Sequence, residues 1–171
     1  MRSFTATLAL AVIVAGCTGD PETQSPSAPG RNAMEALIAF ARAPSDSTWA
    51  ALPLADRVEL GLGDTLRARR SARALREPGA WKLNVDLFRA RAGTASALEL
   101  IASEQGRLRV TEGPHPHCAS GPIPPSEGFA DLKRVVVQPR STNGCLDWWT
   151  VDAFVNGAGT IEAITLDLWE P

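Results

Sequence analysis

The sequence predicts an α+β domain, with N-terminal helices and short strands followed by a C-terminal antiparallel sheet that ends in a β-hairpin. Three observations predict it. Helix cap and stop signals are concentrated before Gly106. From Arg107 onwards apolar residues recur with period two between Pro- and Gly-rich turns. The tight-turn run Asn156-Gly157-Ala158-Gly159 then divides the last two of these segments. Helices first and strands afterwards belongs to an α+β arrangement rather than to alternating units over a parallel sheet.

Taken in order, Asn32 with Glu35 three positions on reads as an N-cap with its capping box, and Leu37, Ile38 and Ala41 fall on one helical face before Pro44 ends the helix. Val58, Leu60 and Leu62 alternate with Glu59 and Gly61 as a short strand does. Asp64 is placed to cap a helix running towards Glu77, stopped by Pro78 and Gly79. Trp81, Leu83 and Val85 alternate again. Ser96 and Glu99 read as the capping box of a helix from Ala97 to about Glu104, with Gly106 as its stop. Four strand candidates follow: Leu108 and Val110, Leu132 to Val137, Leu146 to Val155, and Thr160 to Trp169. No internal repeat is present, and residues 32–171 have single-domain length with enough chain to bury one core.

The last hairpin has a readable register. If Val155 pairs with Thr160, one face carries Trp149, Val151, Ala153 and Val155 against Leu166, Ile164, Glu162 and Thr160, an apolar surface suited to the core. The other carries Trp148, Thr150, Asp152 and Phe154 against Asp167, Thr165, Ala163 and Ile161, with Leu146 opposite Trp169. Its mixture of aromatic and acidic residues makes Trp148, Thr150, Asp152, Thr165, Asp167 and Trp169 the candidate ligand-binding surface, with Trp148 and Trp169 as an exposed aromatic platform. In this register Asp167 lies opposite Trp148, about 13 Å from Asp152, too far for the two carboxylates to share one reaction.

The chain opens with Arg2 and then runs without charge from Ser3 to Gly19, with an apolar stretch from Leu8 to Val14. That is the anatomy of an export signal over residues 1–16. The stretch is well short of the ~20 residues that cross a bilayer. Val14-Ala15-Gly16-Cys17 resembles the lipobox of bacterial lipoproteins. The resemblance implies cleavage before Cys17, a diacylglyceryl thioether on its sulfur and a further acyl chain such as palmitate on the new amino group. Two or more chains anchor stably where one holds marginally. It places the domain on the extracytoplasmic side of the cell membrane or outer membrane, with the membrane as a partner. Residues 17–31, rich in Pro, Ser and Gly, then read as the lipidated cysteine and a disordered tether. The region from Cys118 to Trp169, with its Cys-Leu-Asp-Trp-Trp-Thr-Val-Asp run, looks like the C-terminal part of small uncharacterised lipoproteins of high-GC bacteria, a likeness that implies no activity.

Of 17 basic and 19 acidic residues, removal of residues 1–16 takes only Arg2, so the formal charge moves from −2 to −3. Nucleic acid is therefore not an expected partner. Arg67, Arg69, Arg70, Arg73 and Arg76 spread around the circumference of the expected helix and read as a solvated surface, with contact to anionic lipid headgroups as the functional alternative.

With Cys17 lipidated, Cys118 and Cys145 remain in an oxidising compartment and are expected to form a disulfide. That bond closes a loop of about 28 residues, worth roughly 3 to 4 kcal/mol. The alternative uses the chain's two histidines, His115 and His117, which precede Cys118 in Gly-Pro-His-Pro-His-Cys and supply donors suited to zinc or copper. Ser120 lacks the flanking glycines and strand-turn-helix setting of a nucleophile elbow. The sequence therefore points to a non-enzymatic domain, without a cofactor, that binds a small ligand or an envelope protein. A metal-binding lipoprotein and, after it, a hydrolase are the other classes.

Overall fold

The computed structural model describes residues 29–87, 91–113, 128–141 and 145–168, the side chains of 86, 87, 91, 92 and 146 excepted. Among the described residues four α-helices are formed: α1 (Pro29–Arg42), α2 (Asp46–Ala50), α3 (Ala72–Leu75) and α4 (Ala97–Ser103). The strands are β1 (Leu54–Leu62), β2 (Thr65–Ser71), β3 (Lys82–Leu87), β4 (Arg91–Ser96), β5 (Leu108–Glu112), β6 (Lys133–Pro139), β7 (Trp149–Val155) and β8 (Ile161–Leu168). Six of them make one sheet in the order β2-β1-β8-β7-β6-β5, and β3 and β4 pair separately. The fold is α+β, with every pairing antiparallel except β1 with β8.

Helices α1, α3 and α4 pack on one face of the large sheet, and α2 lies against α1. Along α1, Gly30, Ala33, Met34, Leu37, Phe40 and Ala41 repeat at the spacing of a buried helical stripe. Gly30 lets this helix approach the sheet closely, because a Cβ there would lie 2.8 Å from Val135 Cγ2. Val58, Leu60, Val135, Val137, Trp149, Val151, Ala153, Ile164 and Leu166 meet the helices from the sheet side. Trp81, which closes a short 3₁₀ turn over Pro78–Trp81, is the largest fully buried side chain among the described residues. Its indole N–H donates to the Leu75 carbonyl at 2.6 Å, and its ring packs on Phe40 at a centroid distance of 6.3 Å. The core draws on residues from Ala33 to Leu166, so the segment from α1 to β8 closes its own apolar interior.

Several local expectations are corrected. Helix α1 begins at Pro29, which places Asn32 inside the first turn rather than at a cap. Proline is suited there because the first helical N–H groups have no intrahelical partner. A capping box forms instead at α2, where Ser45 and Thr48 exchange side-chain and backbone hydrogen bonds. Ser96 makes no side-chain cap on α4, and Glu99 pairs with Lys82 at 2.9 Å. The expected helix after Asp64 is strand β2 over Thr65–Ser71. Gly63 (φ +56°) and Asp64 form a two-residue hairpin turn, so Thr65 folds back beside Leu62, and only Ala72–Leu75 is helical, capped by Ser71. The strand expected from Leu146 begins at Trp149, after a 3₁₀ turn over Cys145–Asp147.

Candidate functional site

Side-chain alternation divides the residues of β6, β7 and β8 between the two faces of the sheet. Val135, Val137, Trp149, Val151, Ala153, Ile164 and Leu166 face the helices, and Arg134, Val136, Thr150, Asp152, Phe154, Ala163, Thr165 and Asp167 face the other way. This second face is the one that carries the candidate ligand-binding residues.

Its register differs from the expected one in two compensating ways. The loop is one residue wider than a Val155–Thr160 pairing requires. Asn156 N–H donates to the Thr160 carbonyl, the Asn156 side-chain oxygen accepts from Ala158 and Thr160, and Val155 lies opposite Ile161. Taken alone, that change would turn every following side chain to the opposite face. A bulge at Glu162 adds a second residue and restores the facing, so Phe154 lies opposite Ala163, Asp152 opposite Thr165 and Thr150 opposite Asp167. Glu162 accordingly leaves the core face, where it was expected, and accepts from the Asn156 amide at 2.8 Å. Asp167 is displaced from its place opposite Trp148 to a diagonal neighbour of Asp152.

The expected openness of this face is also corrected. Thr150, Asp152 and Thr165 are 0%, 1% and 2% exposed, Trp148 is buried, and Asp167 is half-buried. Asp152 tolerates that burial through Arg134, its diagonal neighbour on β6. Nε of Arg134 lies 3.2 Å from Oδ2 of Asp152, and both side chains are removed from water. Burial lowers the pKa of the Arg134 guanidinium, and the Asp152 carboxylate opposes that shift. The guanidinium also lies 5.0 Å from the centre of the Phe154 ring, which packs on Phe129 at 5.1 Å. Phe129, Phe154 and Ala163, with Leu132 against them, form a second apolar cluster on this face. Sequence reading missed Arg134, although its place one residue before the Val135–Val137 run already assigned it to the face opposite Val135.

Beside that cluster the face opens into a groove of ≈ 430 Å³. Ala55, Arg57, Glu59, Leu66 and Arg69 line one side, and Gly128, Phe129 and Glu162 the other. Arg69 pairs with Glu59 across the β1–β2 ladder. Leu66 is the one large hydrophobic side chain exposed among the described residues. The groove combines apolar surface with charges of both signs.

Cys17, His115, His117, Cys118 and Trp169 lie outside the described residues. Among those described, no group of three or more His, Cys, Asp or Glu side chains comes together to hold a metal ion. Cys145 is disulfide-bonded, with its partner outside the described residues. Intact mass of the native chain should therefore rise by about 2 Da on reduction, as two hydrogens are added to one S–S bond. Ready alkylation of Cys145 without reductant would contradict this. No protein family, curated protein or solved structure matches this chain.

Proposed function

We propose that this chain is a lipid-anchored envelope protein whose domain binds a small ligand or a protein partner without catalysing a reaction. The observation that carries the anchoring is the N-terminal segment, an uncharged apolar run that ends in Val14-Ala15-Gly16-Cys17. In this reading the acyl chains on Cys17 supply the attachment. Support for binding comes from the groove between the β1–β2 ladder and Phe129. Trp148, Thr150, Asp152 and Thr165 are buried and are not part of its contact surface.

The decisive experiment is metabolic labelling with a fatty acid. Cys17→Ser should abolish incorporation and leave the chain unprocessed or released from the membrane, whereas continued labelling of the variant would remove the anchoring. For the domain, a small molecule retained through purification and displaced by Leu66→Arg would assign the groove. Turnover of ester, phosphate or glycoside substrates by the purified chain would overturn the non-catalytic reading.

A further inference from the structure

Between Thr65 and Arg76 the chain holds five arginines and no carboxylate. The structure sets this run on the rim of the molecule, because β2 is an outermost strand paired only with β1, and α3 continues from it. Arg69 and Arg76 are bridged to Glu59 and Asp46. Arg67, Arg70 and Arg73 have no carboxylate partner among the described residues, and neither does Arg57 on the adjacent strand. Arg57, Arg67 and Arg73 are exposed and Arg70 is half-buried.

Arginine on an edge strand blocks pairing with another chain. That accounts for the residues on β2 but not for Arg73 and Arg76, which lie beyond the strand where no edge needs protection. The opposite edge also carries exposed arginines, Arg107, Arg109 and Arg140, but they lie beside an acidic residue, Glu112, which pairs with Lys133 at 2.8 Å.

The position of the rim relative to the chain's entry into the domain identifies the partner. Pro29 packs against Gly159, a Cβ on which would lie 3.2 Å from Pro29 Cβ, so the segment from Cys17 arrives at the end of the sheet that holds the β7–β8 turn. Strand β1 starts at that end, with Leu54 opposite Ile161, and antiparallel β2 finishes there, with Ser71 opposite Arg57. Two strand spacings, about 10 Å, separate β8 from β2. The chain from Cys17 to Pro29 can span at most ~40 Å, against the ~15 Å radius of a domain this size. A domain held that closely brings this rim to the surface that anchors it.

We propose that the β2–α3 rim docks on the anionic phospholipid headgroups of the membrane to which the chain is tethered, through Arg57, Arg67, Arg70 and Arg73. The docking rests on the anchoring of Cys17 for its effective concentration, but the contact itself belongs to the folded domain and can be measured without the lipid. It lays the Leu66 groove, whose Arg57 and Arg69 belong to the same two strands, along the bilayer.

The test uses the chain from residue 18 onwards, which retains the complete core, in sedimentation with phosphatidylglycerol vesicles and with phosphatidylcholine vesicles. Binding is expected to phosphatidylglycerol alone and to disappear in high salt. The variant Arg67→Gln/Arg70→Gln/Arg73→Gln should bind about a hundredfold more weakly, roughly fivefold for each arginine. Arg107→Gln/Arg109→Gln/Arg140→Gln, at the β5 edge, should remain close to the parent. If the first triple variant loses its cooperative melt, Arg67→Gln and Arg73→Gln singly carry the same expectation of fivefold each. Absence of binding to phosphatidylglycerol, equal binding to both lipids, or equal loss from the β5-edge variant overturns the proposal. Labelling at Cys17 tests the anchoring separately, so either reading can fail without the other.

Discussion

Replacing Arg134 by alanine is expected to destabilise the domain by about 3 to 5 kcal/mol, a fall in Tm of roughly 10 to 15 °C, because it leaves Asp152 buried with its cationic partner removed. The expectation follows from burial on both sides of the pair: Asp152 is 1% exposed, and the Arg134 side chain is only 9% exposed at 3.2 Å from it. The loss includes the cover that the guanidinium gives the Phe154 ring. Asp152→Asn should cost less, since an amide retains hydrogen-bonding capacity at nearly the same volume. The paired replacement Arg134→Met/Asp152→Leu should recover most of the loss, because two apolar groups remove the desolvation cost together with the attraction that offset it. Thermal melts of the four proteins form a double-mutant cycle. A loss under 1 kcal/mol for Arg134→Ala would show that the pair is open to water and that the second face is not a dry layer.

Trp149→Ala and Trp148→Ala should each cost about 3 to 5 kcal/mol. Both side chains are 8% exposed, although they precede and open the same strand and belong to different surroundings, Trp149 in the helix-side core and Trp148 outside it. If the second face were a display surface, only Trp149 would matter to stability. Comparable losses for the two, read from denaturant midpoints at unchanged slope, would establish that this sheet is buried on both sides at its centre. A Trp148→Ala variant within 0.5 kcal/mol of the parent would return that tryptophan to the surface and reopen it as a ligand platform.

The two-sided burial explains why the sequence was a good guide to which residues share a face and a poor one to which face is wet. Alternation of apolar and polar side chains in β7 places Trp149, Val151, Ala153 and Val155 together whatever the partner strand does. Thr150 and Asp152, polar and alternating with them, carried every mark of a solvated face. The burial of Asp152 involves Arg134, which lies well before it in the chain, and that of the neighbouring Phe154 involves Phe129 and Leu132, which precede β6. Strand β2 failed for a different reason. Its run of Arg, Ala and Leu has good helical propensity, and propensity yielded to pairing with β1 once Gly63 and Asp64 turned the chain back. The Gly-Asp pair between Leu62 and Thr65 was the local sign of that hairpin.

By itself the sequence determined the α+β class, the existence of α1 and α4 to within a few residues, the two-residue period of β5 to β8 and the face membership of the final hairpin over 149–155 and 163–167, but not next to the turn, where Ile161 and Glu162 exchange faces. These are short-range matters, set by which side chains repeat every two or every three to four positions. Only the tertiary structure decided that β1 joins the C-terminal sheet as a parallel neighbour of β8, that the Glu162 bulge restores the facing after a wider turn, and that Arg134 meets Asp152 in a dry layer. Each of those depends on which distant segment is brought alongside. A charged residue on a strand looks the same in sequence whether water or a second charge lies opposite it, and the difference of several kcal/mol between those states arises only when the chain closes.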